Sequence, residues 1–169
     1  MRRFIMILTA VFLTSHASVA QSPRPAQAGT VAVSKRLQLI VKPPEDKIGL
    51  DTDVEISLTL RNTSSTVLGI TDTSPDRDFS FDVKTSDNRE VPLTDFGKRL
   101  ATEPRRGDRR VTKELKPGES IDYPVSLGTL YRFERSGRYF VRASRVVVIQ
   151  TPDAALEPVI SNLITLVLE

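Results

Sequence analysis

The stretch DVEISLTLRN, residues 53–62, decides the fold class of this chain. Every second position from Val54 to Leu60 is apolar, and the positions between them carry Glu, Ser and Thr. A period of two puts all the apolar side chains on one face of an extended backbone, which is the pattern of a β-strand with one buried face. The stretch therefore predicts a strand that covers a hydrophobic core.

The same alternation returns along most of the chain. It predicts further strands in RLQLIVK (36–42), TVLGITD (66–72), DFSFDVKT (78–85), the short segment with Val91 and Leu93, RVTKEL (110–115), SIDYPVSL (120–127), SGRYFVRASRVVVIQ (136–150) and NLITLVLE (162–169). Helical spacing is found only in GTLYRFERS (128–136), which is long enough for one or two turns. We therefore predict an all-β, antiparallel β-sandwich of about eight or nine strands in a single domain.

Several residues predict local details of these strands. NTSS (62–65) and Pro117-Gly118 are turn sequences, the second suited to a type II turn. Asn62-Thr63-Ser64 also fits a glycosylation sequon. Pro124 cannot donate a hydrogen bond, so its strand should lie at a sheet edge or carry a bulge. Val146 to Ile149 is continuously apolar, which predicts that this half of its strand is covered on both faces.

A late strand that begins Gly137-Arg138-Tyr139-Phe140-Val141 resembles the corresponding strand of bacterial immunoglobulin-like sandwiches. The order of ISLTLRNTSSTVLGI, DFSFDVKTSDNREV, LKPGESIDYPVSL and SGRYFVRAS, over residues 50–145, resembles the BsuPI-type family, named for an intracellular proteinase inhibitor. The likeness implies an immunoglobulin-like fold. It also implies that Tyr139 lies at an inter-strand corner, with its hydroxyl bound to nearby backbone. The chain departs from the family by having no Trp.

The first 35 residues predict export. A basic pair, Arg2-Arg3, precedes the apolar run Phe4 to Leu13, and Ser18-Val19-Ala20 supplies small residues before Gln21, as in a secretory signal peptide. We predict a signal peptide at 1–20, a flexible leader at 21–35 and the sandwich at 36–169. The apolar run is too short for a membrane span, so the processed protein should be periplasmic or extracellular with no span.

Composition excludes many chemistries. The only histidine, His16, lies in the predicted signal peptide, and the chain has no cysteine, which removes His- and Cys-dependent nucleophiles and zinc sites. After cleavage, 22 Lys and Arg face 21 Asp and Glu, a net charge of +1 that argues against nucleic-acid binding. Asp72, Asp76 and Asp78 lack the spacing of a calcium loop and are interpreted as a capped turn. We predict no enzyme activity, no cofactor and no metal.

Positive charge is concentrated in two segments. Residues 98–110 hold six cations against two acids, and residues 132–145 hold five against one. The candidate binding surface consists of Arg105, Arg106, Arg109, Arg110, Arg138 and Arg142. The alternative is that the outward arginines pair with acidic residues of neighbouring strands, such as Asp82 and Glu55. The basic segments would give the domain a dipolar character suited to an anionic surface.

The sequence supports two functional hypotheses. The first is a binding or interaction module at the cell envelope, whose partner is another envelope protein or an anionic surface glycan. The second is an extracytoplasmic protease inhibitor that presents residues 94–110, predicted as one long loop, to a protease cleft. Arginines in this segment would suit a trypsin-like pocket.

Overall fold

Two antiparallel sheets pack face to face in the computed structural model, which describes residues 34–44, 48–50, 52–103, 109–150 and 155–169. All of these residues belong to one unit, Val31–Glu169. The strands of this described part are β1 (Leu37–Lys42), β2 (Glu55–Asn62), β3 (Leu68–Asp72), β4 (Ser80–Thr85), β5 (Val111–Leu115), β6 (Ser120–Ser126), β7 (Gly137–Gln150), β8 (Ala155–Ile160) and β9 (Ile164–Leu168). Three short helices accompany them: α1 (Pro75–Asp78), α2 (Asp95–Thr102) and α3 (Leu127–Leu130). The all-β sandwich predicted from the sequence is confirmed.

The first sheet has the order β1-β2-β6. Leu58 of β2 lies opposite Val41 of β1 and Tyr123 of β6, so three inward side chains meet in one row. Leu58 is completely buried, and burial of a leucine side chain contributes about 1.5–3 kcal/mol. The proline-bearing strand β6 lies at the edge of this sheet, as Pro124 predicted.

The second sheet is built around β7, which is long enough to pair with four strands. β4 pairs with residues 139–144 and β3 with residues 149–150, while β9 pairs with residues 137–141 and β8 with residues 144–149. β5 extends the sheet beyond β3. The order β1-β2-β6 matches strands A, B and E of an immunoglobulin-type sandwich, and β5 pairs with the second sheet instead of the first.

The local predictions for the turns and the corner tyrosine are confirmed. Gly118 has a φ of +79°, and the Glu119 N–H donates to the Lys116 carbonyl at 3.0 Å, as a type II turn requires. The Tyr139 hydroxyl donates to the Arg135 carbonyl at 2.7 Å, which is the expected corner contact.

Asn62 closes the turn after β2 from inside the protein. Its side chain donates to the carbonyls of Thr66 and Leu115 at 2.7 and 2.8 Å and accepts from the Ser64 N–H at 2.9 Å. The residue is completely buried. The turn interpretation of Asn62-Thr63-Ser64 therefore fits the fold, and the amide that a glycan would need is already used.

The prediction of one long loop at 94–110 is wrong, because residues 95–102 form helix α2. Thr94 caps it: its hydroxyl accepts from the Gly97 N–H at 3.0 Å, and its own N–H donates to the Leu130 carbonyl at 2.9 Å. A Cβ on Gly97 would lie 2.3 Å from the Leu130 carbonyl oxygen, so the glycine permits close contact with α3. None of the helices of the described chain has the length and apolar character for a membrane crossing.

Further segments differ from the prediction, among them strand β8, for which no strand was predicted. Val91 and Leu93 belong to no strand: Val91 donates to the Val83 carbonyl at 3.0 Å, and Leu93 forms an isolated bridge with Tyr131. The helical turn predicted within 128–136 is only the four residues of α3. Ser34, placed in the predicted leader, donates its N–H to the Pro158 carbonyl of β8 at 2.8 Å. The predicted signal peptide and residues 21–33 lie outside the described residues.

Candidate functional site

The outer face of the second sheet exposes apolar side chains of β7 and β8. By the two-residue period of β7, Val146 and Val148 point away from the core, and the register places them opposite Pro158 and Leu156 of β8. Ile160 continues the row opposite Ser144. We call these five residues the apolar strip: Val146, Val148, Leu156, Pro158 and Ile160.

Three members of the apolar strip are strongly exposed. Val146, Leu156 and Ile160 keep 60%, 69% and 41% of their surface in contact with solvent. The prediction that Val146 to Ile149 is covered on both faces is therefore wrong, because only Val147 and Ile149 point into the core. Contiguous exposed apolar surface of this kind marks interaction sites in soluble proteins.

Two open cavities border Val146. The one towards β8, about 430 Å³, is lined by Val146, Pro158 and Ile160 together with Ser144 and Asp78. The one towards β5 has a volume of about 320 Å³ and a more polar lining, which comprises Thr71, Thr73, Thr112, Gln150, Arg110 and Val148. A partner lying across Val146 could therefore place apolar groups on one side and hydrogen-bonding groups on the other.

Directly beneath the strip, on the inward face of β7, lies the buried side chain of Arg145. It donates to Asp72 at 2.8 Å and to the Thr71 carbonyl at 2.7 Å, and it lies 3.7 Å from Asp78. The Tyr123 hydroxyl donates to Asp72 at 2.9 Å. Only 2% of the Arg145 side chain is exposed, so its charge depends on these partners instead of water.

The charges of this buried network balance. Lys113 lies 3.5 Å from Asp72, so two cations face Asp72 and Asp78. The guanidinium of Arg145 also lies 5.2 Å from the centre of the Phe79 ring. Burial, followed by the charge of Asp72, raises the pKa of the Tyr123 hydroxyl above its ordinary range, so the hydroxyl stays protonated and donates.

The network accounts for two of the three aspartates considered as a calcium loop. Asp72 and Asp78 point to Arg145, and Asp78 also accepts from the Thr73 N–H at 2.7 Å. Asp76 lies in the first turn of α1, after Pro75. Within the described residues, no group of three acidic or histidine side chains is placed to hold a metal ion.

The four predicted binding arginines that the structure describes lie in two separate places. Arg105 and Arg106 lie outside the described residues. Arg109 and Arg110 are exposed just before β5, and Arg110 lines the smaller cavity. Arg138 and Arg142 are exposed on the outer face of β7, about 13 Å apart along the strand. Arg110 therefore borders the smaller cavity beside Val146, whereas Arg142 lies on β7 just beyond the Ser144 end of the apolar strip.

Among the described residues, Arg109, Arg110, Arg138 and Arg142 form no ion pair with an acidic residue of a neighbouring strand. Arg142 lies opposite Asp82 of β4, yet Asp82 pairs with Lys84 at 3.4 Å, and Arg142 has no ion pair with a described residue. Glu55 lies on β2, in the other sheet. Arg142 thus faces the Asp82 carboxylate across the strands without an ion pair to it.

Sequence reasoning missed Arg145 and the apolar strip, although β7 carries a signal for both. Counting charges grouped Arg145 with the exposed arginines. Tyr139, Val141 and Ala143 point inward, so continuing the same period places Arg145 inward and Val146 outward. The partners Asp72 and Tyr123 come from distant parts of the chain, and no local pattern connects them.

The fold and the site together define the class of this protein as an antiparallel β-sandwich with an exposed apolar strip on one sheet. No family model matches the chain, and no curated protein matches it. The resemblance to the BsuPI-type family therefore stays a prediction. Among solved structures, the chain is similar to the C-terminal domain of wzt, with a TM-score of 0.42 and 14% identity. The match covers 82% of this chain and 76% of that one.

Proposed function

We propose that this protein is an exported, non-enzymatic binding module that attaches to another protein of the cell envelope through the apolar strip. The observation that carries the proposal is the exposure of Val146, Leu156 and Ile160 on one sheet face, with the cavities beside them. Burial of such a patch in a complex removes apolar surface from water and favours association.

The chemistry of the strip favours a protein partner with an acidic rim. Its five side chains are aliphatic, whereas a glycan partner would gain more from aromatic rings. Arg142 lies on the same outer face just beyond the Ser144 end of the strip and has no ion pair with a described residue, so an acidic group on a bound protein could pair with it. The proposed interface therefore has an apolar centre and a charged border.

The alternative of a protease inhibitor has less support. Such an inhibitor would present an extended loop, and residues 95–102 of the proposed 94–110 loop are helical. Thr94 and Gly97 hold this helix against Leu130, which opposes its extension.

A photo-reactive side chain placed at position 146 or 156 in living cells tests the proposal. We expect a discrete cross-linked adduct with one envelope protein, and the cross-linked peptide identified by mass spectrometry should be flanked by Asp or Glu. The same side chain at Val67, also exposed but outside the strip, is the matched control and should give no such adduct.

Two results would overturn the proposal. One is the absence of a specific adduct at both strip positions. The other is saturable binding to lipopolysaccharide resin that is lost when Arg105, Arg106, Arg109 and Arg110 are replaced by Ser with thermal stability unchanged. That second result would identify an anionic glycan as the partner.

A further inference from the structure

The sheet edges of the sandwich differ in how they are closed. At β1, the Asn162 side chain accepts from the Val41 N–H at 2.9 Å and donates to its carbonyl at 3.1 Å. At β4, the Val83 carbonyl accepts from Val91 at 3.0 Å. Ser34 bonds to β8, and Leu50 donates to Glu169 beside β9 at 3.2 Å. These contacts prevent edge-to-edge pairing with another chain.

Residues 111–114 of β5 have no such closure within the described residues. The strand pairs with β3 on one side only, and Pro124, which protects the edge strand β6, has no counterpart in it. Residues 111–114 are all exposed, including Val111 at 42%. The other backbone edge of these residues bonds to no described group. An open edge of this kind is a template for an added strand.

We propose that two copies of this chain associate by antiparallel pairing of β5 with β5 across a two-fold axis at Thr112. The charges of the strand select this register. Centred on Thr112, the pairing places Arg110 of each chain opposite Glu114 of the other. Opposite charges facing each other across strands stabilise the pair.

Neighbouring registers bring like charges together. A centre at Lys113 places the two Lys113 side chains opposite each other, and a centre at Glu114 does the same for the two glutamates. A centre at Val111 places Arg109 opposite Lys113. Of these four registers, only the one centred on Thr112 combines two attractive pairs with no opposed like charges.

The side-chain directions fit this register. Thr112 lies opposite Thr71, an outward position of β3, and Arg110 has the same phase two residues earlier, so both face the outer side of the sheet. Glu114 lies opposite Gly69 and shares their phase by the two-residue period. Because directly opposed residues of an antiparallel pair share a face, Arg110 and Glu114 would meet on the outer face. The contact is isologous, as two-fold symmetry requires.

A charge swap tests the pairing by sedimentation equilibrium. The protein is purified from its native host, in the form that the host produces. It is studied from about 1 μM to about 1 mM, a range that covers weak dimers. We expect the wild type to dimerise, and R110E or E114R alone to raise the dimer dissociation constant about tenfold or more. The double variant R110E/E114R should restore dimerisation, because both pairs are reversed together.

Recovery of dimerisation in the double variant R110E/E114R would report contact between two chains and not contact within one chain. Within one chain, positions 110 and 114 are about 13 Å apart, too far for direct contact. R138E makes the same charge change on the outer face away from the edge and should leave the dissociation constant unaltered. A wild type that stays monomeric throughout, or a double variant no better than the single ones, would overturn the proposal.

The absence of cysteine permits a second, independent measurement. In T112C, the two new thiols would face each other across the axis, at the Cα separation of an antiparallel pair, which a disulfide can span. We expect oxidation to give a covalent dimer on a non-reducing gel, whereas V146C, on the same face but away from the edge, should not. Equal cross-linking of both variants, or a disulfide to another protein only, would contradict self-pairing.

Discussion

Arg142 and Arg145 lie in the same strand, yet they occupy opposite kinds of environment. Arg142 points outward from β7, is exposed and has no ion pair with a described residue. Arg145 points inward, where Asp72, Tyr123 and the Thr71 carbonyl bind its guanidinium. The difference follows from the odd spacing between the two positions, since an odd step along a strand changes the face.

The contrast between the two arginines indicates that one contributes to the stability of the fold and the other to binding a partner. A charge in the core is tolerated only when hydrogen-bonded partners replace its hydration water. The interactions of Arg145 are therefore made within the fold and contribute to its stability. A charge on the outer face keeps its water and remains able to attract a partner at long range. We therefore expect changes at Arg145 to affect folding and changes at Arg142 to affect binding.

The largest effect is expected for Arg145→Met. Removal of the guanidinium leaves Asp72 and Asp78 buried with one fewer cation, and breaking a buried pair in this way costs about 3–5 kcal/mol of the free energy of unfolding. Urea unfolding followed by circular dichroism measures the loss. The matched variant Arg142→Met should change the free energy by no more than about 0.5 kcal/mol. Similar losses for the two variants would break the contrast.

Local features of the fold could be predicted from the sequence because their causes are local. The strands other than β8 follow from a two-residue period, and the type II turn follows from Pro117-Gly118 alone. The corner contact of Tyr139 reaches back only to Arg135. In each case, residues close together in the sequence determine the feature.

Helix α2 and the Arg145 network could not be predicted in the same way. Gly97 suggests a helix breaker in isolation, and its role is visible only when Leu130 is packed against it. Asp72 and Arg145 are brought together by the pairing of β3 with β7. The closed and open edges of the second sheet likewise depend on which distant segments lie beside each strand.

A smaller effect, with a characteristic pH dependence, is expected for Tyr123→Phe. Near pH 8 the variant should lose about 1 kcal/mol, because the hydroxyl no longer donates to Asp72. The folded-state pKa of Tyr123 is raised above its unfolded value of about 10. The contribution of this proton to the free energy of unfolding is therefore at its full value below about pH 10 and is lost as the pH rises above about 10.

The wild type should consequently lose up to about 1.4 kcal/mol more than Tyr123→Phe for each pH unit above 10. Urea midpoints measured at pH 8 and pH 11 would show the gap between the two proteins closing. Tyr131, whose pKa burial raises to about 12, contributes equally to both and cancels in the comparison. A gap that is the same at both pH values would mean that the Tyr123 proton is not held by the network.

The smallest change in stability, with a clear change in binding, is expected for Arg142→Glu. The free energy of unfolding should fall by less than about 1 kcal/mol, because the new carboxylate is exposed and faces only Asp82 across the strands. With the photo-reactive side chain at position 146, the adduct yield should fall about threefold or more, since a rim charge steers association with an acidic partner. Arg138→Glu should reduce the yield less, because Arg138 lies opposite Val167, farther from the strip. Equal yields for the wild type and Arg142→Glu would show that recognition rests on the aliphatic side chains alone.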